Sequence, residues 1–512
     1  MTSIRKVIQT LTVLALIFGM VGPLGVPSAM AAAHAHPLLL QMASEAPEQQ
    51  VAVIVQKSDK SDQAEALVRR LGGEVTKDLH IINAFAAEMD AGAALELARD
   101  PGVRWVSLDA GLVSTGKPAP REKPDGVSTP ITMNGASVQL PANFYLDTMN
   151  VRQVWNLGYR GEGVGVAVID TGITPDADFS QEIGSPDSRI VAQASFNANA
   201  VDTNDSSGHG THVAGIIGGN GSSASGFYQG VAPMADLINL KIGDENGLAS
   251  ESDAVAAMQW VYENKAQYNI RVVNLSFQTT VEMSYHQSPV DAAAEILWFN
   301  GVVVVAASGN WDPQGVYSPS RAAPANDPFL ITVGAFNEKG SANIHDDSIT
   351  KYTAFGNTQE GYFKPEIYAP GMDIISTLAS DSPWAGEHPD HLVVPNEYMR
   401  LSGSSMAAPM VSGAAALLLQ AEPDLTPDQV KYRLIQSARW ANGLRYMDVY
   451  TALTAPTTGS ANTGLTVSQL LWTGSEPITW TAVAWNAVAW NAVAWNAVAW
   501  NAVAWNNVYW GP

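Results

Sequence analysis

GVGVAVID, residues Gly163 to Asp170, is an apolar run closed by a carboxylate. It is short, rich in valine and followed at once by Thr171-Gly172, which reads as a strand buried on both faces. Four similar runs follow: DLINLKI (Asp236–Ile242), RVVNLSF (Arg271–Phe277), GVVVVAAS (Gly301–Ser308) and FLITVGA (Phe329–Ala335). Helical stretches separate them, SESDAVAAMQWVYENKA (Ser250–Ala266) being the clearest. Buried strands alternating with helices predict an α/β fold, a doubly wound, mostly parallel sheet over residues 150–456. Near its end Thr426 is placed as a helix N-cap, with Pro427 at the first helical position.

The chain has 512 residues, too many for one ordinary domain. At the N-terminus Arg5 and Lys6 precede an apolar stretch from Leu11 to Val21, then Pro23, Pro27 and small residues to Ala33. That order of charge, apolar core and small residues predicts a secretory signal peptide over 1–33. The apolar core is too short to span a bilayer, and no later apolar run is expected to. Residues 50–113 read as strand, helix, strand, strand, helix, strand, a small two-layer, ferredoxin-like α+β unit. Residues 114–149, rich in Pro, Gly, Ser and Thr, read as a linker. Residues 457–512 form a low-complexity tail in which AVAWN recurs five times from Ala482 to Asn506. A period of five sends successive tryptophans to opposite faces of a strand and round the axis of a helix. The tail reads as disordered or aggregation-prone, as β-rich stacking, or as a binder of polymer or cell surface.

Acidic residues number 49 and basic residues 27, a net charge of −22. That argues against nucleic acid or anionic lipid as partner. There is no cysteine, which excludes disulfides, thiolate metal sites and a cysteine nucleophile.

Three motifs fall at strand or helix ends, where α/β folds place their sites. Asp170 ends its strand in VIDTGI. His209 opens a helix in GHGTHVAGII. Ser405 starts the helix of LSGSSMAAPMVSGAAALLL, so apolar that it must be buried on nearly all sides. Acyl transfer needs these residue types. A serine becomes a nucleophile when histidine takes its proton, and a buried carboxylate orients the imidazole. Asn310, closing VVVVAASGN, offers an amide donor for an oxyanion.

DTGI, HGTHVAG, GN after an apolar strand, and GSSMAAP together resemble the subtilases, the subtilisin-like serine proteases, over about 300 residues. The resemblance implies Asp170 as orienting acid, His209 as general base and acid, and Ser405 as nucleophile. It implies Asn310 and the Ser405 N–H as oxyanion hole, and substrate pairing along Ser276, Phe277 and Gln278 beside Gly309. His212 would be structural. It also implies that residues 50–113 are a propeptide, which inhibits the enzyme until cut away between about Asp109 and Asn143. The chemistry would need no cofactor, and protein or peptide would be the substrate. Structural calcium is common in the family, and Asp178 is its candidate ligand, although the loop Asn220–Gly230 carries no carboxylate. Ser404 stands where the family usually has Thr, and Ser276-Phe277-Gln278-Thr279 where it has SLGG, which leaves the pocket shapes open. Trp311 reads as pocket rim or as loop packing. The expectation is a secreted, extracellular serine endopeptidase, with the tail as a candidate link to the cell surface. The alternative is an inactive relative that binds without cutting, against which stands the retention of every motif residue.

Overall fold

A computed structural model describes residues 34–471 apart from 121–127, 134–135, 311–319, 395–396 and 456–458. The expected signal peptide, Trp311 and the AVAWN repeats lie outside the described residues.

The five apolar runs form neighbouring or near-neighbouring strands of one ten-stranded sheet. Its order is Ile190–Ser195, Asp236–Lys241, Gly165–Asp170, Ile270–Leu275, Val303–Ala307, Ile331–Asn337, Ile367–Pro370, Leu444–Tyr446 and Arg439–Ala441, with Ser348–Ile349 beside Ile331–Asn337. From Ile190–Ser195 to Leu444–Tyr446 every pairing is parallel. All six residues of Gly165–Asp170 are buried, as the absence of polar alternation requires. From this strand the chain first builds one side of the sheet and then crosses to the other. Asp170 therefore ends its strand at the point where α/β sheets open a crevice.

Helix Ser404–Ala421 packs on the strands Ile270–Leu275, Val303–Ala307 and Ile331–Asn337 and against helix His209–Gly218. Every residue from Ser404 to Leu419 is buried. Contrary to expectation, this helix is long and apolar enough to cross a membrane, but the protein buries 89% of it, so it is a core helix. Helices Glu251–Asn264 and Pro289–Phe299 form a second packed pair. Thr426 caps helix Pro427–Gln436 in a reciprocal pair with Gln429.

The N-terminal unit is a four-stranded antiparallel sheet in the order Glu74–Leu79, Ala84–Asp90, Gln50–Lys57, Val103–Leu108. Its strands alternate between two cores. Val53, Val55, Phe85, Ala87 and Met89 pack with the unit's own helices. Ile54, Ala84 and Ala86 point the other way and join the core of the large domain. Period-two alternation with apolar residues on both faces lets these two strands pack on a core to either side.

Three boundaries differ from the sequence reading. The unit begins before residue 50, because helix Pro37–Glu45 packs on it and Ala35 bridges to Val106. Residues 114–149 are not a plain linker. They hold the short strand Gly116–Lys117 and a hairpin of Ser128–Met133 with Ala136–Pro141. The large domain runs past 456, because Val467, Leu470 and Leu471 are buried in its core. Composition hid these pieces, since short edge pairings need no hydrophobic periodicity of their own.

The core helix sets stability. Leu417 is fully buried, so Leu417→Ala should lower the unfolding free energy by about 2–5 kcal/mol. The denaturant midpoint measures this.

Candidate active site

The helix that begins at His209 is set by Asp205. One oxygen of that carboxylate accepts from the Gly208 N–H (2.7 Å) and the Thr171 hydroxyl (2.8 Å), the other from the Thr211 N–H (2.8 Å). These satisfy donors that a helix start leaves free. Gly208 enters the turn at φ +98°, and a Cβ there would collide with Ser382. The Thr171 hydroxyl accepts from the Gly210 N–H (2.9 Å), tying the strand end to the helix start. Asp205 was not among the predicted site residues. Its signal was an acidic residue just ahead of a helix.

So held, His209 Nδ1 lies 2.6 Å from Asp170 Oδ1, both side chains being buried. Burial pushes the imidazole down. The Asp170 carboxylate, through charge and hydrogen bond, with Asp205 behind it, outweighs that and holds it above its ordinary value of 6.5. His209 Nε2 is buried with no hydrogen-bond partner among the described residues. Three residues on, His212 is fully buried and brought down to about 3 by that burial. It stays neutral, with Nε2 at 3.1 Å from the Ile374 carbonyl and 3.2 Å from that of Met399, as a structural residue would.

Ser405 lies in the first turn of the core helix. Its Oγ donates to the Ser276 carbonyl (2.9 Å) and lies 2.7 Å from Thr115 Oγ1 rather than bonding to His209. Its N–H donates to the Thr115 carbonyl (3.1 Å), and Asn310 Nδ2 donates to the same oxygen (2.5 Å). Asn310 is itself aimed by Ser404, whose N–H and hydroxyl both donate to Asn310 Oδ1 (2.9 and 3.0 Å). The Ser404 hydroxyl thus has a use that a threonine would meet as well.

Thr115 arrives in an extended segment that sequence reasoning left in a linker. Gly111–Ser114 forms the middle strand of a three-stranded sheet. It pairs antiparallel with Phe277–Thr279 on one side, setting Ser114 opposite Phe277 and Val113 opposite Gln278, and with Ala249–Ser250 on the other. Beyond Thr115, Gly116–Lys117 pairs with Ser402 and Gly403. A Cβ at Gly116 would meet Ser405 Cβ at 2.9 Å, so the Thr115–Gly116 peptide lies directly against the serine. Gly309 lies beside the segment at φ +98°, and a Cβ there would overlap the Gln278 amide. Ser276, Phe277, Gln278, Gly309, Asn310 and Ser405 therefore gather round residues 111–117, and Asp170, which holds His209, lines one cleft with Leu112, Ser114 and Phe277.

Asp178, the candidate calcium ligand, does not join them. One oxygen accepts from the Ser223 N–H (2.9 Å), the other from the Tyr398 hydroxyl (2.6 Å) and Thr377 hydroxyl (3.1 Å). Protein donors occupy this fully buried carboxylate, which does not fit a calcium ion needing several open oxygens.

The subtilase family model matches residues 161–467. The chain belongs to the subtilase family. This subtilase is 36% identical over 276 residues to "Serine protease AprX" of Bacillus subtilis, covering 53% of the chain and 60% of that relative's length. It is 30% identical over 381 residues to "Subtilisin NAT" of Bacillus subtilis subsp. natto, covering 74% and 82%. Among solved structures, fervidolysin from Fervidobacterium pennivorans, "a keratinolytic enzyme related to subtilisin", matches with a TM-score of 0.59 over 80% of this chain and 62% of that one. At 22% identity that likeness shows the fold.

In Ser405→Ala protein the His209 ring should titrate above 6.5, and Asp170→Asn should bring its midpoint down. NMR of the ring protons against pH reads both. A midpoint unmoved by Asp170→Asn would contradict the Asp170 charge as the cause of the shift.

Proposed function

We propose that this subtilase is a secreted serine endopeptidase, made as a precursor that cuts its own chain between Thr115 and Gly116. The observation that carries the reading is the Thr115 carbonyl. It accepts hydrogen bonds from the Ser405 N–H and the Asn310 amide, with the chain running on to Gly116. Those are the donors an oxyanion needs.

In the proposed reaction Ser405 Oγ turns from the Ser276 carbonyl toward His209. It gives its proton to Nε2 and bonds to the Thr115 carbonyl carbon. The oxyanion takes the two hydrogen bonds already present. The C–N bond to Gly116 breaks, His209 returns the proton to the leaving amine, and Thr115 is left as an ester on Ser405. Water, deprotonated by His209, then releases the Thr115 carboxylate and restores Ser405. Asp170 keeps the imidazole oriented and stabilises its charged form. Residues 34–115 then act as an inhibitor that keeps its own product end in the cleft, and other proteins become substrates once it leaves. The predicted signal peptide supports secretion.

Ser405→Ala should leave the chain uncut and lower turnover by on the order of 10⁶, the scale established in subtilisins. Wild-type enzyme should begin at Gly116, which N-terminal sequencing reads. A start elsewhere contradicts the proposed bond. Catalysis needs neutral His209, so kcat/KM should rise with pH through a midpoint above 6.5, where the Asp170 and Asp205 charges place it.

A further inference from the structure

Residues Leu465 to Leu471 form a short strap between the two parts of the molecule. One side is fastened to the large domain. The Tyr285 hydroxyl donates to the Thr466 carbonyl (2.7 Å). Both oxygens of the buried Glu295 carboxylate accept from the Ser468 N–H (3.0 and 2.9 Å), and the Gln469 N–H donates to the His286 carbonyl (2.9 Å). Val467, Leu470 and Leu471 are buried.

The other side faces the N-terminal unit. Gln56 donates its side-chain amide to the Leu470 carbonyl, and to Ile82 within its own unit. Arg104 donates to the Gln469 carbonyl and, at 3.5 Å, to that of Leu471. Three successive strap carbonyls thus accept from two side chains of the N-terminal unit. Arg104 lies on Val103–Leu108, the edge strand of that sheet, and Gln56 on the strand beside it. The strap meets this edge through side chains, while residues 34–36 pair with the strand's backbone at Val106. The unit is also held elsewhere, by its share of the large domain's core and by the ion pair of Lys77 with Asp253. Asp109 accepts from the Ser252 N–H (2.8 Å) and hydroxyl (2.7 Å), the Ile81 N–H donates to Gln259 (2.9 Å), and Gly111–Ser114 lies in the cleft.

We propose that residues 465–471 are part of the enzyme's binding surface for its own N-terminal unit, so that the C-terminal segment prolongs inhibition after the Thr115–Gly116 bond is cut. The inference rests on the processing reading above. It assigns the strap a partner, residues 34–115 of the same chain, and a role in the timing of activation rather than in the chemistry.

Gln56 and Arg104 leave with the N-terminal unit, so mature enzyme from a Gln56→Ala/Arg104→Ala precursor is chemically the same as wild type. In the full chain, cleavage at Gly116 is followed by gel and sequencing, and the onset of peptidase activity by a chromogenic peptide. The double variant should cut at the wild-type rate but shorten the lag between cut and activity by on the order of tenfold, with kcat/KM unchanged. An unaltered lag overturns the proposal. Should the double variant fold poorly, Arg104→Lys, which keeps charge but loses the fork across two carbonyls, should shorten the lag by a smaller factor. A second arm does not depend on processing. In uncut Ser405→Ala chain, Gln56→Ala/Arg104→Ala should raise amide exchange across 465–471 several-fold, and unchanged exchange overturns the strap. Absence of a cut at Gly116 in wild type counts against the processing reading alone, because the exchange arm still decides the strap.

Discussion

Two hydrogen bonds to the Thr115 carbonyl fix the relation between the parts of this molecule. The Ser405 N–H is available because it lies in the first helical turn, where no intrahelical acceptor exists. Asn310 Nδ2 is available because Ser404 holds the other end of that amide. For the oxygen to reach both, residues 111–114 must lie in register with Phe277–Thr279. That register is set upstream, where Asp109 caps the start of helix Glu251–Asn264 and the Ala110 carbonyl accepts from the Glu251 N–H (2.9 Å). Burial pushes the Asp109 carboxyl up, although the Ser252 hydrogen bonds oppose that. A one-residue slip would turn Leu112, now buried, to the side where Val113 is exposed.

The cleft is a place where burial and charge are set against each other. Desolvation works against a charged His209, and Asp170 with Asp205 works for it. At His212, three residues along the same helix, burial prevails over carbonyl acceptors at Met399 and Ile374, and the ring stays neutral. Two histidines of one motif thus differ because one faces a carboxylate at 2.6 Å and the other faces carbonyls. The overall charge of −22 does not make this distinction, since local partners at hydrogen-bond distance outweigh screened charges farther away.

The N-terminal unit and the large domain share a core. Ile54, Ala84 and Ala86 would face water if the two separated, while Phe85, Ala87 and Met89 would stay inside the smaller unit. Leu79, Ile81 and Ile82 join Ile54, Ala84 and Ala86 at the shared face, where strand Glu74–Leu79 meets helix Glu251–Asn264 and the turn His80–Ile82 meets helix Pro289–Phe299. At the edge strand Val103–Leu108 the strap supplies backbone carbonyls as well as its buried Val467, Leu470 and Leu471. The unit is thus held by a greasy face, a strand in the cleft and the strap.

The sequence by itself determined the parallel sheet, the buried helix after Ser405 and the candidacy of Asp170, His209, Ser405 and Asn310. Those follow from local information: valine-rich runs without alternation, helix starts, and motifs whose residues are near neighbours in the chain. Asp205 was legible only in outline, as an acid before a helix, because its partners Thr171 and Thr211 lie on two elements. Tertiary structure alone decided that Thr115, in a stretch without periodicity, meets Ser405, 290 residues away. It alone decided that Asp178 spends its oxygens on Tyr398, Thr377 and Ser223, and that Leu470 meets Gln56, 414 residues away. The physical reason is common to all three. A short strand, a buried carboxylate and a strap take their partners from distant segments, and the sequence around them carries no period that names those partners.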